Sequence, residues 1–153
     1  MQDEERPPPQ WRGRNGGEDV DDCLFCRIIA GQTAAERVYE SEGAVAFLDV
    51  MPAATGHTLV VPKVHAPTLT ELDDESIGQL FRAVKTVMTK LGKALRPKAF
   101  HVGWNHGSAA GQHVFHLHVH VLPRQKPGAG IQALGEGGTR GDLAALAALI
   151  RAA

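Results

Sequence analysis

The stretch HVFHLHVHVLPR at positions 113–124 constrains this chain more than any other. Apolar residues alternate with histidines, and in a β-strand successive side chains point to opposite faces, so residues two apart share one. The pattern predicts a strand with His116, His118 and His120 on one face and Phe115, Leu117, Val119 and Val121 on the other. Water contact does not explain this choice, because Lys, Thr or Glu would face solvent equally well. Six of the eight histidines fall in one tract: His101, His106, His113, His116, His118 and His120. Imidazole, with an unperturbed pKa of about 6.5, can act near neutral pH as nucleophile, proton donor, phosphate partner or metal ligand. One face of the strand reads as core and the other as chemistry.

Six further strand or helix patterns lie upstream. CLFCRIIAG predicts a short helix ending at Gly31, ERVYES and AVAFLDV two strands turning at Glu42-Gly43, and HTLVVPK a third that Pro62 ends. From 74 to 95, Ile77, Leu80, Phe81, Val84, Val87, Met88, Leu91 and Leu95 recur at helical spacing. Asp73 or Asp74 can cap that long helix, and Pro97 stands just past its end. AFHVGWNHG and VFHLHVHVLP bring the strands to five, and GDLAALAALIRAA predicts a closing helix. The expected class is α+β: a five-stranded antiparallel sheet, one long helix, a short N-terminal helix and a C-terminal helix.

Residues 1–22, rich in charge, Pro and Gly, read as a disordered tail; 23–125 form the domain, and 126–153 a C-terminal loop and helix. A chain of 153 residues with 43% hydrophobic and 22% charged residues has room for one globular domain. A net charge of −1 without a basic block argues against long nucleic acid as partner. No run has the length of a membrane span or the apolar core of a secretory signal, which makes the cytoplasm the expected compartment. In that reducing setting Cys23 and Cys26, the two cysteines, point to metal ligation or redox work rather than a disulfide.

Histidines on alternate strand positions can converge on zinc. They suit a phosphate equally well, since backbone N–H groups of GSAAGQ can form an anion nest with Asn105 and Gln112 as neutral donors. Phosphate chemistry needs a nucleophile, and the middle histidine has a histidine neighbour on each side.

GQHVFHLHVHVLPR resembles the signature of the histidine triad superfamily. CLFCRIIAG, AFLDVMPAATGHTLVVPKVH and NHGSAAGQ follow the order and spacing of its bacterial nucleotide-binding members, so the likeness covers nearly all of 23–124. The resemblance implies a HIT-like fold, a homodimer, and a purine nucleotide substrate opened at its α-phosphorus. By this likeness His118 is the nucleophile and forms a covalent nucleotidyl-imidazole that water then hydrolyses. His120 and His57 take the phosphate and leaving-group side, either of them able to donate the proton. Asn105, Gly111, Gln112 and His113 border the phosphate; His113 stands where related proteins often carry a small hydroxyl or an apolar residue. Asp49 matches the ribose-binding acid, and Ile28, Phe47 and Val50 the slot around the base. The same likeness groups Cys23, Cys26, His65 and His116 as a closed Cys₂His₂ set for a structural Zn²⁺. The activity implied is that of a phosphoramidase-type hydrolase. A dinucleoside polyphosphate hydrolase, which HVLPR resembles in its last two residues, is the alternative within the superfamily. A non-catalytic nucleotide-binding regulatory module is the alternative of another class.

Overall fold

Two strands, β2 (Ala44–Leu48) and β3 (Thr58–Pro62), are buried at every residue, so the sheet they centre is covered on both faces. The computed structural model describes residues 22–126 and 142–153. All of the expected tail but its last residue, and most of the 126–141 loop, lie outside those residues. Around the central pair stand β1 (Arg37–Glu40), β4 (Ala99–Gly103) and β5 (Val119–Arg124), with strand order β1-β2-β3-β5-β4. Every neighbouring pair is antiparallel.

The period of two divides the buried side chains between two layers. Ala46, Val60, Val119 and Val121 join the core beneath α2 (Asp74–Leu95), whose Leu80, Ala83, Val84, Val87 and Leu91 are buried. Each fully covered Leu or Val there contributes about 1.5–3 kcal/mol. The opposite layer sets Val45, Phe47, Leu59 and Val61 against Phe25 and Ile28 of α1 (Leu24–Ile29). The site lies on this second, thinner side.

Helix ends follow local chemistry. Asp73 accepts from the Ser76 backbone N–H at 2.8 Å and opens α2. Arg96 closes it in the left-handed region at φ 48, just before Pro97, which disfavours helical geometry at the residue preceding it. The C-terminal helix α3 (Leu143–Arg151), capped by Asp142, sends Ala147 and Ile150 into the same core as α2. Its Arg151 donates to the Arg37 carbonyl at 2.6 Å, which ties it to the edge strand β1.

One expectation is corrected in extent. The strand predicted from Val114 begins only at Val119. Before that point the Leu117 N–H goes to Ala66 O at 2.8 Å, and Pro62 O takes the ring of His116 at 2.8 Å. Groups that a longer ladder would pair are thus already engaged. His116 and His118 therefore sit on a segment just ahead of β5, although Leu117, Val119 and Val121 still enter the α2-side core.

Candidate active site and metal centre

The register sets Phe47 opposite Leu59, Leu59 opposite His120, and His120 opposite Gly103, one row across four strands. Side chains of such a row share a face, so an apolar floor meets an imidazole on the α1 side. A cavity of about 620 Å³ opens above it. Its walls include Ile28, Phe47 and Val50, its polar side holds Asp49, His57, His118 and His120, and Asn105, Gly111 and His113 line it as well. Nine of the ten residues expected around a nucleotide thus meet in one cavity.

Gln112 is the tenth, and its amide is spent inside the protein. Its Oε1 accepts from Gly107 N at 2.8 Å, and its Nε2 donates to Pro67 O at 2.7 Å and Val114 O at 3.1 Å. The side chain is a buried clamp on the glycine-rich loop rather than a free donor. Asn105 Nδ2 reaches Gly111 O at 3.4 Å, where Gly111 adopts φ 94, a conformation open to glycine.

His118 has a defined polarity. Its Nδ1–H donates to the His116 carbonyl at 2.8 Å, so Nε2 holds the lone pair. Burial pushes its pKa below the ordinary histidine range, partly opposed by that carbonyl, and the ring is neutral at pH 7. Phe25 meets it edge-on at 5.0 Å between centroids, and His120 stands 5.0 Å away. A neutral imidazole with one fixed N–H and one lone pair is a ready nucleophile.

His57 and His120 are wired in one direction. Ala53 N–H donates to His57 Nδ1 at 3.1 Å, which requires the His57 proton to be on Nε2. That Nε2–H lies 2.9 Å from His120 Nδ1, and Asp49 Oδ2 is 3.6 Å away. His120 accepts at Nδ1 and so carries its own proton on Nε2. Burial, then the charges of His118 and His57, lower His120 to about 3. Burial also lowers His57, with Asp49 opposing and Arg124 adding to the effect. The donor atoms of Asp49, His57 and His120 lie close enough to hold a metal, within 4.8 Å of one another. The Ala53 N–H argues against that use, because a metal at Nε2 would strip the only proton His57 carries.

The second cluster has the opposite polarity. His116 Nε2–H donates to Pro62 O, which leaves Nδ1 as a lone pair. That atom lies 3.4 Å from Cys23 Sγ, 3.5 Å from Cys26 Sγ and 3.2 Å from His65 Nδ1. His65 Nδ1 is 3.3 Å from Cys26 Sγ. Tetrahedral zinc bonds imply separations of about 3.5 Å for S···N and about 3.3 Å for N···N. These four separations match an ion between the donors, and all four donors lie within 4.8 Å of one another. Burial raises both thiols, but a proton on the facing His116 or His65 nitrogen, standing in for the ion, brings Cys23 down to about 5. Burial and the neighbouring Cys23 push Cys26 up to about 12.

Sequence reasoning missed three participants. Phe25 and Leu59 line the cavity but read as core residues, and in part they are. The Ala53 N–H that orients His57 is a backbone group, which no residue pattern announces.

Comparison with known proteins adds a family. Residues 30–127 match the HIT domain family. "Protein hit" of Bacillus subtilis is 40% identical over 115 residues, covering 75% of this chain and 79% of that protein. An adenosine 5'-monophosphoramidase of Schizosaccharomyces pombe is 39% identical over 102 residues, or 67% of this chain and 74% of that protein. A Zn-bound histidine triad family protein from Mycobacterium smegmatis superposes with a TM-score of 0.77 at 31% identity, covering 88% of this chain and 94% of that one. The α1 helix and α3 lie wholly outside the matched range, although both pack on its sheet.

Proposed function

The chain belongs to the HIT domain family, and from that premise we propose that it is a nucleotidyl hydrolase of the phosphoramidase type. Its substrate is a purine nucleoside monophosphate joined through phosphorus to an amine. The observation that carries this reading is the polarity of His118, whose Nδ1–H is held by His116 O at 2.8 Å while a neutral Nε2 remains for attack. The name of the fission yeast relative supports the choice of an amine leaving group.

In this reading Ile28, Phe47 and Val50 hold the base, Asp49 accepts from the ribose hydroxyls, and Asn105, Gly111 and His113 border the phosphate. His118 Nε2 forms a bond to the α-phosphorus as the P–N bond to the amine breaks. The departing nitrogen takes a proton from His120 Nε2, and His57 stands behind as its hydrogen-bonded partner. A bound phosphate raises the pKa of the His57–His120 pair by attraction of opposite charge, so the pair takes up a proton at His120 Nδ1 when substrate arrives, and the 2.9 Å bond from His57 opens to admit it. Water then attacks the nucleotidyl-His118 phosphorus and releases the monophosphate.

Cys23, Cys26, His65 and His116 would hold a zinc ion that, when bound, braces the fold and offers no open coordination place. The domain of this activity is 23–125. A homodimer is part of the proposal: β4 is an outer strand of the sheet, and Val102 and Trp104 are exposed at 40% and 36% with Phe81 against Trp104. Among the described residues no helix is long and apolar enough to cross a membrane; the proposed location is the cytoplasm.

The test is single-turnover reaction with adenosine 5'-phosphoramidate, quenched and read by intact mass. A nucleotidyl adduct on His118 is expected, and His118→Asn should lower kcat by about 10⁴-fold or more. Strong preference for diadenosine polyphosphates would move the protein to the polyphosphate branch. Nucleotide binding without turnover would make it a regulatory module.

A further inference from the structure

We propose that the cysteine and histidine centre sets the aim of the nucleophile, with His116 as the positioning residue that joins the two. This rests on the reading of His118 as the attacking group. The ring of His116 is fully buried, and both of its nitrogens are engaged. Nδ1 faces Cys23, Cys26 and His65 at 3.2–3.5 Å, and Nε2–H is held by Pro62 O at 2.8 Å. The carbonyl of the same residue receives His118 Nδ1–H at 2.8 Å. One residue therefore closes the metal centre with its side chain and orients the nucleophile with its backbone.

Local backbone structure makes that carbonyl sensitive. The ladder of β5 starts at Val119, so the peptide groups from 116 to 118 are not locked by strand pairing. A backbone bond in this stretch runs from Leu117 N–H to Ala66 O at 2.8 Å, and Ala66 itself follows His65, a member of the centre. The direction of His116 C=O thus depends on where the ring and the 65–66 segment are anchored, and the centre anchors both. A second route runs through Phe25, which lies between Cys23 and Cys26 in sequence and meets the rings of His116 and His118 edge-on at 5.9 and 5.0 Å. Four ligands drawn to one ion hold Phe25 and the carbonyl together. Without the ion, His118 loses a constraint on which of its nitrogens bears the proton. A ring with its proton on Nε2 cannot attack phosphorus from that atom.

The asymmetry of the effect separates this device from a plain staple. Of the residues given to the nucleoside, Ile28 shares α1 with Cys26, whereas Phe47 lies in β2 and Asp49 and Val50 beyond its end, apart in sequence from the centre, so most nucleotide affinity should survive where the chemical step does not. The experiment is nitrogen-15 imidazole spectroscopy of the full chain, zinc-loaded and metal-free, with metal content measured on both samples. Loaded protein should show His118 as a single Nδ1–H tautomer, and folded metal-free protein a mixture. In parallel, kcat on adenosine 5'-phosphoramidate should fall about 10–100-fold on metal removal, while the Kd for adenosine monophosphate changes by less than about threefold. A metal-free, folded protein that keeps His118 wholly in the Nδ1–H form overturns the proposal. Should metal removal unfold the chain, cadmium takes the place of zinc as a larger ion in the same centre. Altered His118 nitrogen shifts and kcat in the cadmium form support the coupling; identical values in both forms overturn it. If loaded protein turns over no phosphoramidate at all, the functional reading fails, and the tautomer comparison still decides the coupling.

Discussion

Two histidine clusters stand side by side in this protein, and they use the same side chain in opposite senses. Beside Cys23, Cys26 and His65, His116 turns a lone pair toward a shared centre. In the cavity, His57 and His120 are linked head to tail by a hydrogen bond of 2.9 Å. The difference originates in one backbone partner for each. Pro62 offers His116 a carbonyl, which takes its N–H and frees a lone pair; Ala53 offers His57 an N–H, which takes its lone pair and fixes a proton. Residue type thus leaves the role of a histidine open, and the group behind the ring decides it.

The sharpest way to break this comparison is to remove a ligand from the first cluster. Cys26→Ser should cost about 3–5 kcal/mol of stability, a melting point lower by about 6–20 °C, through loss of a metal and of buried contacts. Metal analysis should show the loss of bound zinc in the same sample. A variant as stable as the parent, with its metal content unchanged, would remove the first cluster from the class of metal centres.

The converse change belongs to the second cluster. His57→Ala should leave metal content as it was and lower kcat by about 10–100-fold, the range for groups that orient or support a catalytic residue. Loss of metal in this variant would show that the clusters are not separate units. Full activity would show that His120 needs no partner.

Much of this architecture was legible because it rests on periodicity and punctuation. The α2 stripe, its Asp73 cap and its stop before Pro97 are local facts, and the β1–β2 hairpin follows from two strand patterns joined by a turn at Glu42-Gly43. The alternation around His118 sent Leu117, Val119 and Val121 to the α2-side core and His118 and His120 to the cavity, yet it overextended the strand. It carried no information about Ala66 and Pro62, which draw His116 and Leu117 out of the ladder. Gln112 shows the same limit. An amide beside a glycine-rich loop reads as a phosphate donor until Gly107, Pro67 and Val114 are seen to occupy it. Contacts across long sequence distances, above all those made by backbone groups, leave no mark on residue pattern.

The smallest effect lies in pH, and it again divides the clusters. Burial holds His57, His118 and His120 below the ordinary histidine range, His120 at about 3. An unfolded chain protonates these rings near pH 6.5, so below that value it binds protons that the folded protein refuses. Stability from this source is complete above about pH 6.5 and declines as the pH falls toward about 3, by up to about 1.4 kcal/mol per pH unit for each ring kept neutral. Urea unfolding of metal-free protein between pH 7.5 and 4.5 isolates the term from metal release. The midpoint should drop steadily on the acid side, and His120→Gln should flatten the slope by removing one of the rings. A midpoint that is level from pH 7.5 to 5 would mean that the cavity histidines accept protons in the native state. The neutral, directed pair and the lone pair on His118 would then both lose their physical basis.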